Sequence, residues 1–206
     1  MIKKDICYNT SMSNIIRSTT QTALLFISQY LHNGDTVVDA TCGNGHDTLA
    51  LAKMGAGKIY AFDVQETAIT NTESLLTKEN IPLSNVHLIL DSHANMCNYI
   101  KEKVQVIVFN LGYLPSANKS IITSSESTIT AVKEAMKLLK KDGLICISMY
   151  SGHPGGQEEK QSLLDFAESL DERTWHTAYI NMRNQRKNPP EILLITLKRG
   201  VEFEEN

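Results

Sequence analysis

Two glycines, Gly43 and Gly45, interrupt an apolar run in the segment VVDATCGNGHDT, residues 37–48. Glycine permits positive φ and close backbone approach, so a turn here can wrap tightly around a ligand. A dinucleotide fingerprint, G-x-G-x-x-G, would place glycine where Thr48 stands, and a P-loop would need a lysine that the turn lacks. A ligand with no phosphate to cradle suits such a turn, and the adenosine of S-adenosylmethionine (SAM) meets that condition. Asp63 follows Gly43 by twenty positions, and its carboxylate can accept hydrogen bonds from both hydroxyls of a ribose, with Gln65 beside it. Asp91, Ser92 and His93 form a polar run suited to an adenine edge, and Asp39 and Asp47 flank the turn where a cationic amino group would lie. Gly43, Gly45, Thr48 and Asp63 also suit a plain turn and a helix N-cap, so the ligand reading rests on the combination.

A second group could supply transfer chemistry. Asn110-Leu111-Gly112-Tyr113-Leu114-Pro115 stands where amino-group methyltransferases carry [ND]-P-P-[YF], with Leu111 and Gly112 in place of the two prolines. In that motif the Asn or Asp oxygen accepts a hydrogen bond from the target amine and the aromatic ring stacks on the base. Methyl transfer from a sulfonium is an in-line displacement that depends on positioning a free lone pair. An alkylamine has a pKa near about 10, so its site must desolvate it or accept its proton. Asn110, Tyr150 and His153 are the candidates, His153 lying in the tight loop YSGHPGGQEE with Gly155. Arg183, Arg186 and Lys187 gather in NMRNQRKNPPE, with Lys119 in the loop after the fourth strand; they read either as solvated loops or as a small phosphate-contacting patch. His46 can shape the turn or touch ligand, and His32, His87 and His176 read as structural or exposed. The six histidines show no metal spacing, and no metal is expected.

The elements that must position these residues follow from periodicity. Helices are expected at about 20–31, 47–55, 66–78, 127–139 and 157–170, and strands at 35–41, 58–64, 85–90, 104–110, 144–150, 175–182 and 191–198. Leu24, Ile27 and Leu31 share one face of the first helix, Ile129, Val132, Met136 and Leu139 one face of the fourth, and Leu163, Phe166, Ala167 and Leu170 one face of the last. Lys140, Lys141 and Gly143 are good helix C-terminal residues. Alternation of strand and helix gives a doubly wound α/β pattern. The last two strands have too short a connection for a parallel crossover and should be antiparallel. Ligands in such sheets bind at the carboxyl ends of the strands, so the residues to examine are those just after each strand, 41–48, 63–65, 91–93, 110–115 and 150–156.

The whole chain is 206 residues, 42% hydrophobic, with a formal net charge of −3, which suits one domain (20–206) behind an N-terminal arm (1–19) and offers no global pull on polyanions. Cys7, Cys42, Cys97 and Cys146 form no C-x-x-C pair, which points away from a zinc site or a disulfide framework and towards a reducing, cytoplasmic compartment. No apolar run follows the N-terminal lysines as a signal peptide would need, and none approaches the roughly 20 residues of a membrane span.

Together DATCGNGHDTLALA, YAFDVQ, DSH, FNLGYLP, GHPGG and NQRKNPPEILLI resemble the bacterial family labelled "putative rRNA methylases", which includes the MnmM-type tRNA wobble-uridine methyltransferases. The resemblance spans nearly the whole chain from about residue 20. It implies an α/β, Rossmann-like class I SAM-dependent fold: a seven-stranded, mostly parallel sheet in the order 3-2-1-4-5-7-6, an antiparallel last strand, and helices on both faces. It implies methylation of the amine of 5-aminomethyl-(2-thio)uridine in the tRNA anticodon loop, giving the methylaminomethyl form. By the matching motifs, Asn44, Asp47, Asp63, Gln65, Ser92 and His93 are expected at the cofactor, and Asn110, Tyr113, Tyr150, His153, Gly155 and Asn184 at the substrate. Thr41 stands where many relatives of the wider class carry a glycine. A homodimer is left open. The competing readings are methylation of another RNA base or a small amine, a catalytically silent RNA-binding protein of the same fold, and an NAD-linked oxidoreductase, against which Thr48 speaks.

Overall fold

The computed structural model describes residues 18–112, 125–152, 154–185 and 188–198. The expectations placed on residues 1–17, Tyr113, Lys119, His153, Arg186 and Lys187 lie outside the described residues. The strands are β1 (Thr36–Asp39), β2 (Lys58–Asp63), β3 (Val86–Leu90), β4 (Val104–Leu111), β5 (Leu139–Met149), β6 (Trp175–Ile180) and β7 (Glu191–Leu197). They form one sheet in the order β3-β2-β1-β4-β5-β7-β6. Strands β1 to β5 pair in parallel, and β7 runs antiparallel to both β5 and β6. Both the strand order and the reversed last strand agree with the expectation from the sequence. The chain enters at β1, moves outward to β3, then returns to β4 on the other side of β1. The carboxyl ends of β1 and β4 therefore open a crevice at the switch point.

Helices α1 (Thr19–Tyr30), α2 (His46–Lys53), α3 (Glu66–Lys78), α4 (Met96–Tyr99), α5 (Ser125–Leu138) and α6 (Gly156–Glu168) surround the sheet. Side chains alternate across a strand, and here the two sets enter different cores. Val37, Ile59, Val106, Leu144 and Ile192 pack with Ala23 and Ile27 of α1 and Leu51 of α2. Val38, Phe62, Ile107, Ile145 and Leu193 pack with Val132 and Met136 of α5 and Leu163 and Ala167 of α6. Cover on both faces explains why the central strands read as unbroken apolar runs. Burying one such side chain, Phe109 for example, contributes about 1.5–3 kcal/mol. Ser18 caps α1 by accepting the N–H of Gln21 at 3.2 Å, so this helix starts one residue earlier than its periodicity indicates.

The largest departure is at the start of β5. Lys140 and Lys141, expected at a helix end, belong to the strand, which begins directly after α5. Val104 pairs with Leu139 but Val106 pairs with Leu144, so β5 bulges between them. Asp142 sits in the bulge at φ 58°, and its carbonyl accepts the Gln105 side-chain N–H at 3.0 Å. Lys140 reaches across to Asp35 at 3.0 Å. Three short elements were also not anticipated, the 3-10 turns Leu83–Asn85 and His93–Asn95 and α4, because none is long enough to show a helical period. Among the described residues no helix is long and apolar enough to cross a membrane.

A Cβ on Gly143 would lie 2.8 Å from both the Leu139 Cδ1 and the Lys140 carbonyl oxygen, and 2.9 Å from the Gln105 carbonyl oxygen. Gly143→Ala should therefore cost about 1–3 kcal/mol by overpacking the bulge. Urea denaturation of the two proteins measures this, and an unchanged midpoint would show that the bulge can open freely.

Candidate active site

The turn after β1 is held from three sides. Gly43 and Gly45 adopt φ of 51° and 81°, in the left-handed region. Gly45 donates its N–H to the Cys42 carbonyl at 2.7 Å, and Cys42 donates to the Phe62 carbonyl of β2 at 2.9 Å. From α3, the Thr72 hydroxyl donates to the Gly43 carbonyl at 3.2 Å, and a Cβ on Gly45 would come within 2.8 Å of Thr72 Cα. Gly43 also donates its N–H to Asp63 Oδ2 at 3.0 Å, while Gln65 donates its N–H to Asp63 Oδ1 at 3.0 Å. The twenty-residue spacing in the sequence thus becomes a direct hydrogen bond. Both Asp63 oxygens are oriented by main chain and each keeps a second lone pair for a ligand. Asn44 is exposed and accepts from Asn71 Nδ2 at 3.0 Å.

Asp39 and Thr48 lie beneath this turn. Asp39 is fully buried; its Oδ2 accepts the Thr48 hydroxyl at 2.6 Å and its Oδ1 the Thr41 N–H at 3.2 Å. Thr48 is fully buried as well. Neither has surface to offer a ligand in this structure, so their effect on one passes through the turn they shape. Burial pushes the Asp39 carboxyl up to about 7, and the charge of nearby Asp47 adds to the rise.

Asp47 is half-buried and accepts the Asn110 side-chain Nδ2 at 2.9 Å. Because a carboxylate only accepts, this bond fixes the amide with its nitrogen towards Asp47. The other amide atom, Asn110 Oδ1, is buried and has no hydrogen-bond partner among the described residues. The main-chain N–H of Asn110 is held by the Thr41 hydroxyl at 2.7 Å, which gives Thr41 a purpose that glycine at this position could not serve. Tyr150 stands next to this group, its N–H bonded to the Leu111 carbonyl at 3.1 Å. Its ring lies against Gly112, where a Cβ would be 3.5 Å from the ring atoms. Burial and the Asp47 charge hold the phenol above its ordinary value, partly offset by hydrogen bonding to Asn110 and Thr20. Tyr150 is therefore a proton donor at neutral pH and a poor base.

On the other side of the crevice, Asp91 accepts from the Ser92 N–H at 2.7 Å, Asn95 Nδ2 at 2.9 Å and the Tyr99 hydroxyl at 2.8 Å. The Asn95 bond leads in holding its carboxyl below the usual range. Ser92 caps the 3-10 turn by accepting the Ala94 N–H at 3.2 Å. His93 is buried, with Nδ1 3.0 Å from the Ala40 carbonyl and its ring edge-on to Phe109. Burial lowers its pKa, so the ring is neutral with the proton on Nδ1, and it ties the end of β3 to the end of β1. Sequence reasoning missed two residues here. Val64 and Leu90 are 52% and 54% exposed, and Leu90 pairs in register with Asp63. Apolar residues directly at strand ends beside the Asp63 carboxylate were the available signal.

The substrate-side candidates are more dispersed. Gly155 is the exposed N-cap of α6 at φ 81°, and Arg183 and Asn184 are exposed in the turn between β6 and β7. His46 is exposed at the start of α2, His32 and His176 are exposed, and His87 stacks on Tyr60 at 4.9 Å. Among the described residues no cluster of His, Cys, Asp and Glu could hold a metal ion. The half-buried Asp63 carboxylate, the exposed apolar flank of Val64 and Leu90, and the acidic group at Asp47 fit a ribose, an adenine face and a cationic head in turn. SAM carries all three.

Asp39 yields a pH test. Its folded value, about 7, lies above the unfolded 3.8, so the protonated form favours folding; that contribution is complete below pH 3.8 and is lost as pH rises through about 7. Asp39→Asn cannot ionise. Its stability relative to wild type should grow between those two pH values and level off above the upper one, as read from urea midpoints. A pH-independent difference would place the charge elsewhere.

A family model described as "Putative rRNA methylase" matches residues 59–196. The chain is 40% identical over 199 residues to the tRNA (mnm(5)s(2)U34)-methyltransferase, chloroplastic, of Arabidopsis thaliana, covering 89% of this chain and 70% of that protein. A Clostridium thermocellum structure described as "putative rRNA-methylase" is 40% identical with a TM-score of 0.85, over 88% of this chain and 98% of that one. A Streptococcus mutans structure described as "a putative methyltransferase", in complex with SAH, is 38% identical with a TM-score of 0.81, over 88% and 99%.

Proposed function

Because this chain belongs to the rRNA methylase family and is a SAM-dependent methyltransferase, we propose that its substrate is the aminomethyl amine of a tRNA wobble uridine, 5-aminomethyl-(2-thio)uridine, which it converts to the methylaminomethyl form. The observation that carries this reading is the unpartnered Asn110 Oδ1. A buried acceptor left unpaired costs about 1–3 kcal/mol, and an amine N–H would satisfy it. The wobble-uridine substrate in the name of the Arabidopsis relative supports the choice of amine.

When bound, SAM supplies a methyl group on a positively charged sulfur. Asp63 would hold the ribose hydroxyls, and Val64 and Leu90 would flank the adenine. Asn110 accepts one N–H of the substrate amine, leaving the nitrogen lone pair free for the methyl carbon. Asp47, beside Asn110, would favour the positive charge that the nitrogen gains as its bond to the methyl carbon forms and the methyl–sulfur bond breaks, with the neutral thioether as leaving group. Asn110 cannot take a proton and Tyr150 is held protonated, so the amine's proton must pass to water, helped by desolvation that lowers its pKa, or to another side chain. His153 keeps its place as a candidate acceptor for that proton. Tyr113, Gly155, Asn184 and the cations Arg183 and Arg186 are the proposed contacts to the anticodon loop. A cytoplasmic setting accords with this reading: Cys42, Cys97 and Cys146 are free thiols, each pushed up to about 12, chiefly by burial.

Mass spectrometry of tRNA nucleosides from cells lacking the protein tests the substrate directly. Unmethylated 5-aminomethyl-2-thiouridine should accumulate, and an unchanged profile would remove the tRNA assignment. Two variants separate the half-sites. Asp63→Ala should weaken SAM binding by about 1–3 kcal/mol in a calorimetric titration. Asn110→Ala should leave SAM affinity within about twofold while lowering kcat by about 10²-fold. Wild-type turnover in the Asn110 variant would mean that the amine is held elsewhere.

A further inference from the structure

Glu191 opens β7 in the stretch NPPE, and none of the chemistry above uses it. Its carboxylate collects donors from three places. Lys160 of α6 brings Nζ to 3.1 Å of Oε2, the Tyr179 hydroxyl of β6 donates to Oε2 at 2.7 Å, and Asn181 Nδ2, just beyond β6, donates to Oε1 at 2.5 Å. Asn181 Nδ2 also donates to the Tyr179 hydroxyl at 3.1 Å. The ion pair is sheltered, its side chains 18% and 12% exposed. In the sheet Glu191 lies opposite Met149, the residue before Tyr150. One residue therefore joins, through its carboxylate, α6 and the chain that leaves β6 and, through its place in the sheet, the strand end that precedes Tyr150.

Exposed ion pairs are worth little, but a sheltered carboxylate with several donors is costly to disrupt, because each lost partner leaves a desolvated polar group. Among the described residues β6 is an edge strand of the sheet, with β7 as its one strand neighbour. The Glu191 cluster supplies side-chain bonds that the β6–β7 ladder lacks at its last pair, Ile180 with Ile192. It also occupies Lys160, which removes that cation from the groups free to meet phosphate.

We propose that Glu191 is a positioning residue for the RNA substrate: it holds the chain that leaves β6, with Arg183, at a fixed spacing from Gly155 and Tyr150, so that backbone contacts and the amine site are engaged together. This inference rests on the RNA reading above. Glu191→Gln keeps the shape but has one acceptor where the carboxylate has two, and loses the charge that pairs Lys160. With tRNA prepared from cells lacking the protein, the variant should show a KM raised about tenfold, kcat within about threefold, and an affinity for S-adenosylhomocysteine within about twofold of wild type. Tyr179→Phe removes one donor to Glu191 and the hydroxyl that accepts from Asn181, and should raise KM by a smaller factor in the same direction, which keeps the test available if Glu191→Gln folds poorly. Anisotropy of labelled tRNA, measured with saturating S-adenosylhomocysteine, separates the two ideas. Wild-type protein that binds no tRNA sinks the substrate reading and this inference with it. Wild-type protein that binds while both variants bind equally well sinks the inference alone. Loss of S-adenosylhomocysteine affinity in proportion to the KM change would also overturn it, since that outcome marks a general structural role.

Discussion

The hydrogen bond from the Gly43 N–H to the Asp63 carboxylate is the constraint on which the crevice depends. It exists only because Gly43 takes a left-handed conformation that aims its N–H at the neighbouring strand end. Gly45 serves a different need: it lets α3 approach so closely that no side chain would fit against Thr72. Two glycines thus do two jobs, one turning the chain and one admitting a helix. A third glycine, at position 48, would delete the hydroxyl that holds Asp39. The turn is short of the dinucleotide pattern because Thr48 is part of its foundation.

Behind the turn the acidic groups divide by depth. Asp39 is sealed in and stabilises the junction most when protonated, whereas Asp47 stays half-exposed and charged enough to be felt by Asp39, Tyr150 and Cys146. The same carboxylate orients Asn110, so the electrostatic and the hydrogen-bonding halves of the site meet at Asp47. A neutral acceptor set beside a negative charge is a sensible environment for a nucleophile that begins neutral and ends positive.

Much of this was legible in the sequence. The span 66–78 expected for α3 is the one the structure shows, although it reads as a weaker helix, since Asn80 and Pro82 close it. Strand order and the reversed last strand followed from the family resemblance and the short 181–190 connection. The pairing of Gly43 with Asp63 was legible as a spacing. What periodicity cannot convey is depth and partnership. Asp39 looks like a rim acid in VVDAT, yet its hydrogen bonds are with Thr41 and Thr48 beneath the rim. Val64 and Leu90 look like strand residues and prove to be exposed flanks. Lys140 and Lys141 resemble a helix end because basic residues suit that position, but Asp35 and the Gln105 clamp favour a bulged strand. Glu191 carries no motif signal at all, because its donors come from 31, 12 and 10 residues away, at Lys160, Tyr179 and Asn181.

The reversal of β7 has a geometric consequence for what the enzyme can grasp. In an all-parallel sheet, every connection into a strand arrives on the edge opposite the ligand. Because β7 runs the other way, its first residue sits beside the last residue of β5, and the loop that feeds it arrives on the ligand edge. That loop hangs from an outermost strand, so its length can change without disturbing the register of the five strands that build the cofactor crevice. Relatives could adapt to bulkier or smaller nucleic acids by lengthening or trimming this single overhang.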